Sequence, residues 1–203
     1  MTDRGIQVVE DDEAVGASLV ALLESYGRRV TLHHSGEAFL GAASTPASCV
    51  ILDMRLPGMD GFAVLSALRA RGDATPVIVV TGHGDVAMAV KALRGGAQDF
   101  IEKPYDDADL LRRIETVEVE RAPQDESARH LERFNRLTPR ETDVMHEIVA
   151  GYSNKIAAHR LGLSPKTVEI HRARVMEKTG AQNLSQLVRM ALKAGLDPGD
   201  GDS

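Results

Sequence analysis

Four polar features stand immediately after short apolar runs. Glu10-Asp11-Asp12 follows Ile6–Val9, Asp53 follows Val50–Leu52, Thr81 follows Val77–Val80, and Lys103-Pro104 follows Asp99–Ile101. Brought together, the carboxylates would repel one another unless a cation joined them. A donor set of oxygens, with no cysteine or histidine cluster, suits Mg²⁺, which takes few carboxylates together with phosphate and water. A phosphoryl group on Asp53 would be neutralised by Mg²⁺ and by the Lys103 ammonium, and the Thr81 hydroxyl could hydrogen-bond one of its oxygens. Each feature also has a plainer reading. An acidic triplet in a loop is commonly a turn or a helix cap. Asp53 ahead of Pro57-Gly58-Met59-Asp60-Gly61 fits turn chemistry, and Lys-Pro says little by itself. The argument lies in their joint position at strand ends.

The elements that must position them are legible as an alternation. Apolar strand segments at Ile6–Val9, Arg29–His33, Val50–Leu52, Val77–Val80 and Asp99–Ile101 are separated by helical patterns at Val15–Ser25, Gly36–Ala43, Gly61–Arg71 and Val86–Arg94, and followed by one at Asp106–Val119. Alternating strands and helices predict a five-stranded doubly wound parallel sheet covered on both faces. In such a sheet, groups after the strands share one edge, and ligands sit there at the topological switch point. The lone Cys49, in an apolar strand, reads as a buried hydrophobe and excludes an internal disulfide or a cysteine metal site.

After residue 134 the pattern changes to short helices. Thr138-Pro139-Arg140-Glu141 has an N-cap, a proline at the first helical position and a glutamate at the third, which makes a capping box. Ser164-Pro165 repeats the cap-plus-proline device after the turn residue Gly162. Helices are expected over Thr138–Ala150, Asn154–Arg160, Ser164–Thr179 and Ser185–Ala194, with small Ala157 and Ala158 allowing a close crossing: an all-α four-helix domain with helix-turn-helix spacing. On the third helix Val168 and Val175, with His171 or Arg172, lie on the inward face. Lys166, Thr167, Glu169, Ile170, Ala173 and Arg174 face outward, a mixture that can enter a major groove.

Charge divides along the same line. Residues 135–203 carry ten Lys/Arg and eight Asp/Glu, and the rest of the chain 14 and 22. The basic half is the one a nucleic acid attracts. The boundaries expected are a first domain over 1–119, a charged linker over 120–134 that can be part helical, a second domain over 135–196 and a disordered tail over 197–203. No apolar run reaches the roughly 18–20 residues of a membrane span, so a cytoplasmic protein is expected.

Residues 5–118 resemble the receiver domains of two-component response regulators, a flavodoxin-like fold. Val8-Val9-Glu10-Asp11-Asp12, Leu52 to Gly61, Val80 to Asp85 and Asp99 to Pro104 carry the likeness. It implies phosphorylation of Asp53 by a sensor histidine kinase. It also implies that Asp11, Asp53 and the Arg55 backbone carbonyl bind Mg²⁺ with Glu10 ligating through water, and that Thr81 and Phe100 move as a switch. Glu10 stands where the family often has Asp, and Asp12 is an acid beyond the usual pair. His83 is read as a loop-shaping residue. Arg55 occupies the position where an aspartyl-nucleophile phosphatase would need its second Asp, so the expectation is a regulator rather than an enzyme, with self-catalysed phosphotransfer and slow dephosphorylation only.

Residues 135–194 resemble the DNA-binding domain of LuxR/NarL/FixJ regulators through Leu137 to Glu141, Gly151 to Ala157 and Ser164 to Arg172, and the whole chain is similar to FixJ-type regulators. The likeness makes Lys166, Thr167, Glu169, Ile170, Ala173 and Arg174 base or phosphate contacts, and Asn154, Lys155 and Lys178 backbone contacts. It implies a phosphorylation-dependent homodimer on promoter DNA, with RNA polymerase as a further partner.

Overall fold

The computed structural model describes residues 5–42, 47–82, 85–119 and 127–196. His83 and the tail 197–203 lie outside them. The chain forms two compact units, Met1–His83 with Gly95–Ala122, and Gly84–Arg94 with Pro123–Ser203.

In the first unit, β1 (Gly5–Val9), β2 (Val30–His33), β3 (Ala47–Asp53), β4 (Val77–Thr81) and β5 (Asp99–Glu102) form one parallel sheet in the order β2-β1-β3-β4-β5. From β1 the chain goes first to a neighbour on one side and then to β3 on the other. The switch point therefore falls between β1 and β3. Register fixes which strand ends meet: Val9 pairs with Leu52, Asp53 with Val80 and Thr81 with Glu102. Every residue of β4 is buried, as a central strand covered on both faces requires. One core joins Ile6, Val8, Cys49, Ile51, Ile78, Val80 and Ile101 of the strands to Leu19 and Leu23 of α1 (Glu13–Ser25) and Leu110, Ile114 and Val117 of α5 (Asp107–Val119). The remaining helices of this unit are α2 (Gly36–Gly41) and α3 (Gly61–Ala70).

The second unit holds α4 (Val86–Arg94), α6 (Ser127–Phe134), α7 (Pro139–Val149), α8 (Asn154–Leu161), α9 (Pro165–Thr179) and α10 (Leu184–Lys193). Thr138 and Glu141 make both arms of the capping box, and Ser164 caps α9. Gly162 closes α8 at φ 66°, a left-handed conformation natural to glycine. The core gathers Val144, Met145, Ile148, Val149, Ala157, Ala158, Val168, Val175, Leu187 and Ala191. The inward placement expected of Val168 and Val175 is observed. Within the stretch 120–134, expected as a linker that can be part helical, Ser127–Phe134 form α6, and its Phe134 is buried in this core. The charge of the segment masks a single apolar anchor at its end. In the same unit Val90 and Leu93 of α4 pack against Val188 of α10, with Val86, Leu184 and Leu192 around them.

Candidate functional site

The strand ends converge as their order demands. Carboxylate oxygens of Glu10, Asp11 and Asp53 lie within 4.8 Å of one another. Glu10 and Asp53 are buried, and Asp11 is exposed. Lys103, after β5, places Nζ 2.7 Å from Glu10 Oε2 and 3.5 Å from Asp53 Oδ1. Burial alone would lower the Lys103 pKa, but the Glu10 hydrogen bond and the charges of Asp53 and Glu10 outweigh it and hold the ammonium above its ordinary value. Thr81 is fully buried at the end of β4, and its carbonyl accepts the Lys103 N–H at 2.7 Å. The Lys103–Pro104 bond is cis. Phe100 is half-buried on β5.

The loop after β3 is pinned on the phosphoacceptor candidate. The Arg55 N–H donates to Asp53 Oδ2 at 3.1 Å. Asp60 caps α3 by accepting from the Ala63 N–H, and the Gly61 N–H donates to the Met54 carbonyl. Glu37 of α2 accepts the Met59 N–H at 2.9 Å across 22 residues of sequence. Glu37 carried no motif in the sequence, since its part is played by a contact that arises only once α2 packs beside the loop leading into α3. Tyr105, also unremarked there, stands beside Lys103. Burial raises its phenol pKa, against the Lys103 charge.

The acidic triplet divides into separate roles. Asp12 caps α1, its Oδ1 accepting from Ala14 and Val15 at 2.9 and 3.0 Å. That is the plain helix-cap reading, and it accounts for the third acid. Glu10 and Asp11 remain with Asp53. Such a set of hard oxygens, partly buried at a switch point, fits a small divalent cation.

On α9, Lys166, Glu169, Ile170, Ala173 and Arg174 form an exposed face, Ile170 at 47% exposure. They do not offer equal freedom. Lys166 pairs with Glu169 at 3.0 Å, which suits neither to act as a lone charge. Thr167 belongs to the cap: its N–H and hydroxyl both meet Ser164 Oγ. Asn154 Oδ1 accepts from Arg172 at 3.3 Å, tying α8 to α9. Lys178 Nζ lies 2.6 Å from the Oε2 of buried Glu141. Among the described residues, the side chains of Lys155 and Arg174 make no hydrogen bond or ion pair, and both are exposed.

A parallel switch-point sheet with these strand-end groups, followed by a capped helix-turn-helix, defines a response regulator with a DNA-binding output domain. Residues 6–115 match the response regulator receiver domain, and residues 135–191 match the bacterial regulatory proteins of the luxR family. The chain is 44% identical over 200 residues to the transcriptional regulatory protein FixJ of Azorhizobium caulinodans, covering 96% of this chain and 95% of that one. It is 42% identical to FixJ of Rhizobium meliloti, covering 98% and 100%. A crystal structure of full-length FixJ from B. japonicum aligns at 41% identity with a TM-score of 0.55, covering 97% and 99%. The chain belongs to the FixJ-like two-component response regulators and is a transcriptional regulator. Among the described residues no helix is long and apolar enough to cross a membrane.

Proposed function

We propose that Asp53 takes a phosphoryl group from the phosphohistidine of a sensor kinase, and that phosphorylation drives dimerisation and binding of promoter DNA. The observation that carries this reading is Lys103 Nζ seated between Glu10 and Asp53 at the carboxyl ends of β1, β3 and β5. An Asp53 oxygen attacks phosphorus in line, the P–N bond breaks as the P–O bond forms, and the leaving imidazole takes up a proton. Asp11, Asp53 and the Arg55 carbonyl would hold Mg²⁺, with Glu10 acting through water. When bound, the ion neutralises charge on the transferring oxygens. Lys103 supplies the second positive charge, and Thr81 and Phe100 form the switch.

Phosphorylation shifts an equilibrium only by its differential stabilisation of the active state. Val90 and Leu93 of α4 are covered by Val188 of α10. Pairing of two copies through α4 would therefore require α10 to leave. Two copies would set two α9 helices on adjacent half-sites, with RNA polymerase as the next contact in the cytoplasm.

The test is the full chain incubated with acetyl phosphate and Mg²⁺. The expected result is one phosphoryl mass increment on Asp53, a shift to dimer, and tighter binding of a promoter fragment. Asp53→Asn should lose all three. Dimerisation and DNA binding that still respond to acetyl phosphate in the Asn variant would refute the mechanism.

The exposed cations of α8 and α9 support a second expectation. Arg174→Ala should weaken promoter binding by about 1–3 kcal/mol if it reads a base. Lys155→Ala should weaken all sequences alike and reduce the salt slope by about one. Anisotropy titrations at several salt concentrations separate the two, and unchanged affinity in both would remove these cations from the interface.

A further inference from the structure

Lys103 has two acids in reach and does not share itself equally between them. The 2.7 Å contact to Glu10 is a charge-assisted hydrogen bond of full strength, whereas the 3.5 Å contact to Asp53 is at the outer limit of one. Glu10 is held from its other side as well. Its Oε1 accepts the Asp12 N–H at 3.3 Å, and Asp12 is itself fixed as the cap of α1. Both oxygens of this buried carboxylate thus face protein donors, although the same carboxylate lies within 4.8 Å of Asp11 and Asp53. A cation there would compete with Lys103 for the charge of the Glu10 carboxylate. Side-chain length decides this. An aspartate at position 10 would reach about 1.5 Å less far, one C–C bond, and could not hold Nζ at hydrogen-bond distance from the same backbone.

We infer that Glu10 is a positioning residue that holds Lys103 nearer to itself than to Asp53 until a divalent cation competes for the Glu10 carboxylate, so that metal binding and a closer approach of Lys103 to the phosphoacceptor are one exchange. This rests on the reading of Asp53 as a metal-assisted phosphoacceptor. Coupling is reciprocal: if the cation breaks the Glu10–Lys103 pair, the pair opposes the cation by the same factor. Glu10→Asp keeps the charge and removes the reach, so it separates this exchange from simple electrostatics.

The experiment uses the full chain as wild type, Glu10→Asp, Lys103→Met and the double variant, each unfolded thermally in EDTA and in saturating MgCl₂. In EDTA, Glu10→Asp should lower Tm in the wild-type background and have almost no effect beside Lys103→Met. In MgCl₂ that non-additivity should vanish. Calorimetric titration should show Glu10→Asp binding Mg²⁺ at least about fivefold more tightly than wild type, the low end of ordinary coupling. In ¹⁵N-lysine spectra, a protected Lys103 ammonium signal should be present in wild type without metal, absent in Glu10→Asp, and lost when Mg²⁺ is added; this reading stands even if the double variant does not fold.

Additive effects in EDTA, a coupling that survives MgCl₂, or unchanged Mg²⁺ affinity in Glu10→Asp would each overturn the inference. A wild-type chain that bound no Mg²⁺ and took no phosphoryl group from acetyl phosphate would instead overturn the phosphoacceptor reading beneath it.

Discussion

Gly61→Ala is expected to slow phosphorylation of Asp53 by at least about tenfold, since a displacement of roughly 1 Å at a reacting group can cost a hundredfold. A Cβ at position 61 would stand 2.7 Å from the Asp53 carbonyl oxygen, 2.8 Å from Met54 Cα and 2.9 Å from the Met54 sulfur. The first two are backbone atoms at the end of β3 and in the residue after it, and cannot swing aside. The Gly61 N–H is also bonded to the Met54 carbonyl at 3.1 Å. Either α3 retreats or Asp53 moves, and overpacking of this kind costs about 1–3 kcal/mol. The rate of mass gain with acetyl phosphate, read beside Tm, checks the claim. Gly58→Ala is the comparison: its added carbon would meet only the end of the Glu37 side chain, although φ 78° is strained for alanine. Wild-type kinetics in Gly61→Ala would mean that the approach of α3 to Asp53 is looser than drawn.

Lys178→Met should destabilise the helical unit by about 3 kcal/mol, the low end for breaking a buried pair, because Lys178 keeps part of its surface in water. Glu141 is only 2% exposed. Its Oε2 takes both Lys178 Nζ at 2.6 Å and the Thr138 N–H at 2.8 Å. The Lys178 hydrogen bond, then the Thr138 backbone donor, bring its pKa down to about 2 against the opposing effect of burial. A carboxyl lowered on folding stabilises the fold above its ordinary range near pH 4.5, and that stability drains away as pH falls toward 2. In Lys178→Met the Glu141 pKa should move back up, so the destabilisation should be largest above about pH 4.5 and shrink as pH falls toward 2. Thermal unfolding between pH 2 and 6 reads both effects. A variant as stable as wild type, but with a smaller salt slope for DNA, would return Lys178 to the backbone contacts expected from sequence.

That lysine shows where sequence reading stops. A lysine late in a recognition helix looks the same whether it meets phosphate or a carboxylate 37 residues upstream. Glu141 was legible as half of a capping box, but its burial, and hence its need for a cation, depends on how α7 and α9 pack. The strand-end residues were legible because strand–helix alternation dictates a parallel sheet, and that topology brings Glu10, Asp53, Thr81 and Lys103 to one edge before any contact is known. The family likeness set Asp12 apart from the usual pair but left it without a role, since the start of α1 decides that Asp12 turns to the helix while Glu10 and Asp11 stay with Asp53. That part of 120–134 could be helical was legible; that the helix packs through Phe134 was not, because one phenylalanine at the end of a charged segment is too little pattern.

Cys49 gives the molecule a built-in clock. It is the chain's only cysteine, has no exposed surface, and burial pushes its thiol well above the ordinary range. A thiol reagent can reach it only when β3 opens, so in excess reagent the labelling rate counts openings of the strand that ends in Asp53. Because no other cysteine competes for the reagent, that rate follows the loosening or tightening of β3 in the unaltered protein, without a tryptophan or an added dye.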